Sequence, residues 1–270
     1  MPCIFEQSVQ PNNASKMPVV IVTGASSGIG RETAVLFAKK GWKVTLTGRN
    51  EKNLKEAVQA CIKEGGAKEA DIAYVIGDIG CLDVAEQLVK TTLDKFGRLD
   101  SLINNAGIVS GGLLAEAPIE EYDRLFNTNV RSVIQLTKLA IPHLIASKGT
   151  IVNISSVAAL TSQVNYGYYS MTKSALDAYT KILAVEMAPH GVRVNSVNPG
   201  YIETPIFDTV GMTEEQKKET FEYAKKTHAL GRMGNADEVA KAIFFLAGPD
   251  SSFTTGDILK VDGGFVLMRP

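Results

Sequence analysis

The chain has 270 residues, enough to bury a large core as one α/β domain, and its 45% apolar and 21% charged composition is that of an ordinary globular protein. Lys and Arg (28) nearly balance Asp and Glu (29) for a net charge of −1, which removes any global electrostatic case for nucleic acid or an anionic membrane as partner. No apolar run approaches the roughly 20 residues that span a bilayer.

In chain order, residues 1–17 (MPCIFEQSVQPNNASKM) lack an apolar h-region and an arginine and carry Glu6, which suits neither a secretory signal nor a mitochondrial presequence. They are expected to be a mobile tail in a cytoplasmic protein. From Pro18 the pattern alternates: PVVIVTG (18–24) is a β-branched apolar run ending in Gly, and GIGRETAVLFAKKGW has helical spacing. KVTLTG (43–48), IAYVIG (72–77), DSLINNAG (100–107), GTIVNIS (149–155) and GVRVNSVNPG (191–200) continue the strands, each followed by an amphipathic segment. The longest of these runs from about Ile119 to Ala146. Near-continuous apolar strands alternating with helices predict a doubly wound parallel sheet covered on both faces. Residues 201–230 break the rhythm with Pro205, Gly211 and Gly231 and predict an irregular flap; ADEVAKAIFFLAG and DILKVDGG then restore it. The expected organisation is one domain over residues 18–270.

Cys3, Cys61 and Cys81 are odd in number and lack metal-ligand spacing, and His143, His190 and His228 are scattered, so reduced thiols and no metal site are expected. Two stretches carry chemistry. The turn Gly24-Ala25-Ser26-Ser27-Gly28-Ile29-Gly30 lies between the first strand and first helix, where backbone can approach a pyrophosphate and the helix end offers free N–H groups. A tight turn without ligand is the alternative. In NYGYYSMTK (165–173), helical spacing pairs Tyr169 with Lys173 and turns Tyr168 away. A nearby ammonium favours a phenolate, so the pair can serve as acid and base; an aromatic stripe beside a solvated lysine is the plainer reading.

Taken in order, Thr23-Gly24-x3-Gly28-Ile29-Gly30, Asn104-Asn105-Ala106-Gly107, Asn129, Ser156, Tyr169-x3-Lys173 and Pro199-Gly200 resemble the short-chain dehydrogenase/reductase family, in its compact branch, over about Pro18 to Gly264. The resemblance implies a seven-stranded Rossmann-like sheet and a homotetramer. It also implies hydride transfer between nicotinamide and a ketone or secondary alcohol. Tyr169 would be the general acid, Lys173 would hold ribose hydroxyls and lower the phenol pKa, and Ser156 would polarise the substrate carbonyl, with Ser155 as the competing choice. Asn129 would fix a helix distortion and link Lys173 to a water relay; a plain helix-interior polar residue is the alternative.

For the cofactor, Thr23, Gly24, Ser26, Ser27, Gly28, Ile29 and Gly30 would hold the pyrophosphate, Asp78 the adenine, and Asn105, Ala106 and Gly107 the middle of the molecule. Pro199, Gly200, Ile202 and Thr204 would hold the nicotinamide. The place where NAD-selective members carry an acid reads Thr47-Gly48-Arg49. A guanidinium there suits a 2′-phosphate, with Ser26 and Asn50 adding bonds, so NADP(H) is expected over NAD(H) unless Arg49 is merely a surface residue.

Candidate pocket walls are Ile108, Val109, Leu113, Leu114, Ala158, Leu160, Ile206, Phe207, Val210 and Met212, which suggests a largely apolar small-molecule substrate. A 3-oxoacyl-carrier-protein reductase is an alternative that needs a basic docking surface, for which Lys217, Lys218, Lys225 and Lys226 are candidates. A non-catalytic NADP(H)-binding sensor or scaffold is a further alternative. Apolar character in residues 236–248 and at Val261, Phe265, Val266 and Leu267 adds to the expectation of a homotetramer.

Overall fold

The structure, a computed structural model, describes residues 17–206 and 212–268. The tail expected over 1–17 lies, except for Met17, outside the described residues, as do Cys3 and the pocket candidates Phe207 and Val210.

Seven parallel strands form the sheet: β1 (Val19–Val22), β2 (Lys43–Gly48), β3 (Ile72–Ile76), β4 (Ser101–Asn104), β5 (Thr150–Ile154), β6 (Arg193–Pro199) and β9 (Ile258–Val261). Their spatial order is β3-β2-β1-β4-β5-β6-β9, with Val22 beside Leu46 on one side and Ile103 on the other. The chain winds outward from β1 in both directions, so a crevice opens beyond the carboxyl ends of β1 and β4, where the order reverses. The expected doubly wound, seven-stranded architecture is therefore the one observed.

Strand periodicity divides the core. Val20 and Val22 face one side of the sheet, where they join Phe37, Leu54 and Ile243, while Ile21 joins Leu88, Leu144 and Leu183 on the other. The first side is covered by α1 (Gly28–Lys39), α2 (Glu51–Lys63) and α8 (Ala236–Ala247), and the second by α3 (Leu82–Phe96), α5 (Ser132–Ser147) and α6 (Gly167–Met187). Because β1 is buried on both faces, each of its side chains contributes roughly 1.5–3 kcal/mol of transfer free energy.

Two segments refine the expectation. The helix predicted from 119 to 146 is interrupted: α4 (Ile119–Phe126) passes through a π turn at Asn127–Arg131 before α5, and Ser132 N–H reaches back to Asn127 C=O. The flap of residues 201–230 is not irregular throughout. Ile202–Glu203 (β7) pairs in parallel with Gly234–Asn235 (β8), and Glu214–Thr227 forms α7. Thr213 and Gln216 make a reciprocal capping box there, with acids in the first turn and lysines in the last. The helix lacks a wide apolar face, and among its described residues Ala224 is the one fully buried, so hydrophobic periodicity does not announce it.

Candidate active site

At the end of β1 the chain turns through Gly24 (φ +64°) and Gly28 (φ +54°) into α1. Gly30 makes the turn compact: a Cβ there would sit 2.3 Å from Gly24 O and 2.5 Å from Asn105 Nδ2. Thr23 Oγ1 accepts the N–H groups of Asn105 (3.0 Å) and Ala106 (2.9 Å), and Asn105 Nδ2 donates to Thr23 O (2.9 Å) and Gly24 O (3.2 Å). Thr23 and Gly30 thus lie beneath the site and join its two loops; unlike the other members of the turn named from sequence, neither lines the cleft.

The cleft encloses about 660 Å³. At one end Gly24, Ser26, Ser27, Gly28 and Ile29 line it, and Arg49 and Asp78 face it from the ends of β2 and β3. Arg49 Nη1 lies 3.8 Å from Asp78 Oδ2, and its side chain is 63% exposed. Asp78 Oδ1 accepts Gly80 N–H at 2.9 Å. Asn50 Oδ1 caps α2 by accepting Asn53 N–H (2.9 Å), which fixes the amide and leaves its Nδ2 as the group that can donate to a ligand. Along the middle run Asn105, Ala106 and Gly107, and at the far side Pro199, Gly200, Ile202 and Thr204.

Ser156, Tyr169 and Lys173 meet in the same cleft, from the end of β5 and the first turns of α6. The Ser156 hydroxyl lies near enough to the Tyr169 phenol to favour its ionised form, and Lys173 Nζ lies 5.6 Å from the Tyr169 ring centre and donates to Ile154 O (2.8 Å). Both serines border the cleft, but Ser155 is 4% exposed and its hydroxyl is spent on the backbone, donating to Lys173 O (3.1 Å), whereas Ser156 is the more exposed of the two and lies near Tyr169. Tyr168 points elsewhere, toward Tyr122 and Ala117 O. Asn129 lies behind the lining, in the π turn, 1% exposed. Its side chain clamps Ile108, accepting its N–H (2.8 Å) and donating to its C=O (2.9 Å), and also donates to Thr172 Oγ1 (3.1 Å).

Burial sets the protonation chemistry of these groups. The Tyr169 phenol is pushed up to about 12, chiefly by desolvation, which outweighs the opposing hydrogen bond from Ser156. Desolvation likewise lowers the Lys173 ammonium to about 8, against the favourable charge of Asp177. The lowered phenol pKa expected from Lys173 is therefore not what the protein's own groups produce, because both partners leave water together.

The profile of the family described as enoyl-(acyl carrier protein) reductase matches residues 24–266. The chain belongs to the short-chain dehydrogenase/reductase family. It is 37% identical to the 3-oxoacyl-(acyl-carrier-protein) reductase FabG of Thermotoga maritima, over 92% of this chain and 98% of that protein. A short-chain dehydrogenase/reductase of unknown function from Caenorhabditis elegans, solved with cofactor, superposes with a TM-score of 0.88 at 37% identity, covering 93% of this chain and 96% of that one. A variant actinorhodin polyketide ketoreductase solved with NADPH superposes at 0.84 with 31% identity, covering 93% and 97%.

Short-chain dehydrogenase/reductases are oxidoreductases that bind a nicotinamide cofactor, and the residues present fit one. The side-chain-free turn of Gly24, Gly28 and Gly30 opens on the N-terminus of α1, whose cap residue Ser27 leaves the first N–H groups without a side-chain partner. Beside it Ser26 Oγ is buried without a hydrogen-bond partner among the described residues, packed against Gly48 just before Arg49. Such an orphaned hydroxyl calls for a ligand acceptor or donor. Among the cleft residues that the sequence does not single out are Gln163, Tyr166 and Tyr201. Tyr166 had a signal, since it sits three residues before Tyr169, one turn away.

Proposed function

We propose that this protein is an NADP(H)-dependent oxidoreductase acting on a largely apolar ketone or its secondary alcohol. The observation that carries the reading is that Ser156 and Tyr169 line, beside a buried Lys173, the same cleft as the glycine turn. Two hydroxyls that converge can both donate to one carbonyl oxygen, which polarises the carbonyl carbon and fixes its orientation. With its pKa near 12, Tyr169 is fully protonated at neutral pH and ready to give its proton to that oxygen as an alkoxide forms. The phenolate left behind is stabilised by Ser156 and by the charge on Lys173, which is held below pH about 8. The nicotinamide, when bound, supplies or accepts the hydride. Asn129 keeps the Ile108 backbone in place beside Lys173, a positioning role.

Arg49 and the unpartnered Ser26 Oγ support NADP(H) over NAD(H), as the 2′-phosphate would receive a guanidinium and a hydroxyl. The substrate end mixes Val109, Ala158, Ile206 and Met212 with Gln163 and Tyr166, which supports an apolar body carrying one further polar group. The relatives named as 3-oxoacyl-(acyl-carrier-protein) reductases support a second reading, a carrier-linked 3-oxoacyl substrate. Its basic docking surface finds little support on α7, where four glutamates balance the four lysines and Glu214 and Glu222 pair with Lys217 and Lys225. The free thiols at Cys61 and Cys81 accord with a cytoplasmic setting. A homotetramer draws on exposed Phe245 and Leu267, but not on Phe265, which is buried against Tyr201 and His228.

The test is a panel of apolar ketones, 3-oxoacyl thioesters and secondary alcohols assayed with NADPH, NADH and their oxidised forms. Turnover of a ketone with NADPH is expected. A protein that binds NADPH but turns over none of the panel would favour a sensor or scaffold instead.

A further inference from the structure

Behind Lys173 the protein buries a carboxyl group. Asp177 lies one turn further along α6, 5% exposed, between α6 and the ends of β5 and β6. Asn198 Nδ2 donates both to Asp177 Oδ2 (2.8 Å) and to the Ser156 carbonyl (3.0 Å). A carbonyl only accepts, so the Asn198 amide is fixed with its nitrogen toward these two and its oxygen toward Ser196 Oγ, 2.7 Å away. Ser196 must give its single proton to Asn198, and its oxygen then faces Asp177 Oδ1 at 3.3 Å. Ser155 Oγ, which donates to Lys173 O, also lies near Asp177 and favours its ionised form.

This surround suits a carboxyl in either state. Ionised, it accepts from the Asn198 amide and from hydroxyls that rotate toward it; protonated, it donates to a hydroxyl oxygen while Asn198 stays in place. It can therefore titrate without rebuilding the core. We propose that Asp177 is a positioning residue: through Asn198 and Ser155 it fixes Ser156 and Lys173, and its ionisation sets the charge carried at Lys173 Nζ. Its neighbours leave few other electrostatic partners. On α6 the charged groups facing it are Lys173 and Lys181, while β5 and β6 offer the neutral Ser155, Ser196 and Asn198. Lys173 in turn faces Tyr169, the Ile154 carbonyl, and the neutral Gly107 and Asn129. Burial raises the Asp177 carboxyl and lowers the Lys173 ammonium, and the Asp177 charge opposes the second shift.

The proposal rests on Lys173 working in the proposed reaction, so its test reads Lys173 directly. Asp177→Asn is isosteric and imitates the protonated acid, accepting from Asn198 and donating to the serines. The Lys173 side-chain titration is followed by NMR of lysine-labelled protein, in the wild type and in this variant, with and without NADPH. Loss of the negative charge should lower the Lys173 pKa by about one unit, an interaction of the size expected across one helical turn, and the alkaline limb of the kcat profile should move the same way. An unmoved Lys173 titration overturns the proposal. Should the variant not fold, the wild type suffices: linkage requires a second inflection in the Lys173 signal at the titration of the Asp177 carboxyl, and its absence is equally decisive. Full turnover in Lys173→Ala would sink the functional reading while leaving the electrostatic link measurable, so the two failures are distinguishable.

Discussion

The two ends of the cleft are built from different material. At the dinucleotide end, backbone meets backbone: Gly30 leaves no room for a Cβ against Gly24 O, and Thr23 and Asn105 lock the neighbouring loop by four hydrogen bonds. At the substrate end, side chains from three separated loops form the walls, among them Val109, Ala158, Ile206 and Met212, whereas Leu113, Leu114 and Leu160, expected there from the sequence, stand exposed outside the lining. A site made of backbone demands particular residues at particular spacings, whereas a site made of apolar walls accepts many. Damage at the first end should therefore be steric or ionic and specific, and damage at the second graded.

The largest expected effect falls where the two ends join. Replacing Tyr169 by Phe removes the proton donor and keeps the ring, so kcat/KM should drop by about 10²–10⁴. NADPH affinity, measured by fluorescence titration, should stay within about threefold. Unchanged turnover would remove Tyr169 from the mechanism, and Tyr168→Phe, whose ring lies toward Tyr122, should be close to silent.

Next in size is Arg49→Asp, which tests the ionic part of the dinucleotide end. A charged hydrogen bond is worth roughly 1.5–3 kcal/mol, so the ratio of kcat/KM for NADPH over NADH should fall at least about tenfold, with repulsion adding to it. NADH, lacking the phosphate, should lose little. A wild-type preference for NADH, or a ratio that barely moves, would return Arg49 to the status of a surface residue.

Gly30→Ala probes the steric part. The added methyl meets the Gly24 carbonyl and the Asn105 side-chain amide, which two hydrogen bonds hold in place, so a loss of about 1–3 kcal/mol is expected. For a chain of this size that corresponds to a Tm lowered by roughly 2–12 °C, with weaker binding of either dinucleotide. Val109→Ala at the other end should change Tm less and leave NADPH affinity alone. Equal losses from the two variants would erase the contrast.

What was legible in the sequence follows the same division. Glycine spacing, alternation of apolar strands with helices, and the Tyr169–Lys173 interval are local or periodic, and each reported its place in the fold. The π turn around Asn129 was invisible as a backbone pattern, because a single extra residue in a helix hardly disturbs the hydrophobic period; it entered through the family resemblance alone. Asp177 looked like any polar helix residue, since the groups that make it unusual, Asn198 and Ser196, arrive from a strand about twenty positions later. The upward push on the Tyr169 phenol is not legible either, for a related reason. Spacing reveals a neighbouring charge, but desolvation depends on everything packed around the pair.

The smallest effect is expected from α7, the helix that hydrophobic periodicity did not reveal. Its N-terminus closes with Gln216 N–H donating to Thr213 Oγ1 (3.2 Å) and Thr213 N–H donating to Gln216 Oε1 (2.9 Å), immediately after Met212 of the cleft lining. Thr213→Ala removes one of these bonds and should weaken the helix by about 1 kcal/mol, as cap losses do. With little apolar surface holding its first turns, that loss is expected to appear as local fraying: faster amide exchange over residues 214–218 and a global Tm lowered by no more than about 3 °C. Among the described residues the dinucleotide end shares no hydrogen bond with this cap, so NADPH affinity should be unchanged while KM for the ketone rises severalfold. Thr213→Ser keeps an acceptor at the same position and should restore both exchange protection and KM. A parallel loss of NADPH affinity in Thr213→Ala would mean that the ends of the cleft are mechanically coupled, and the division between them would have to be abandoned.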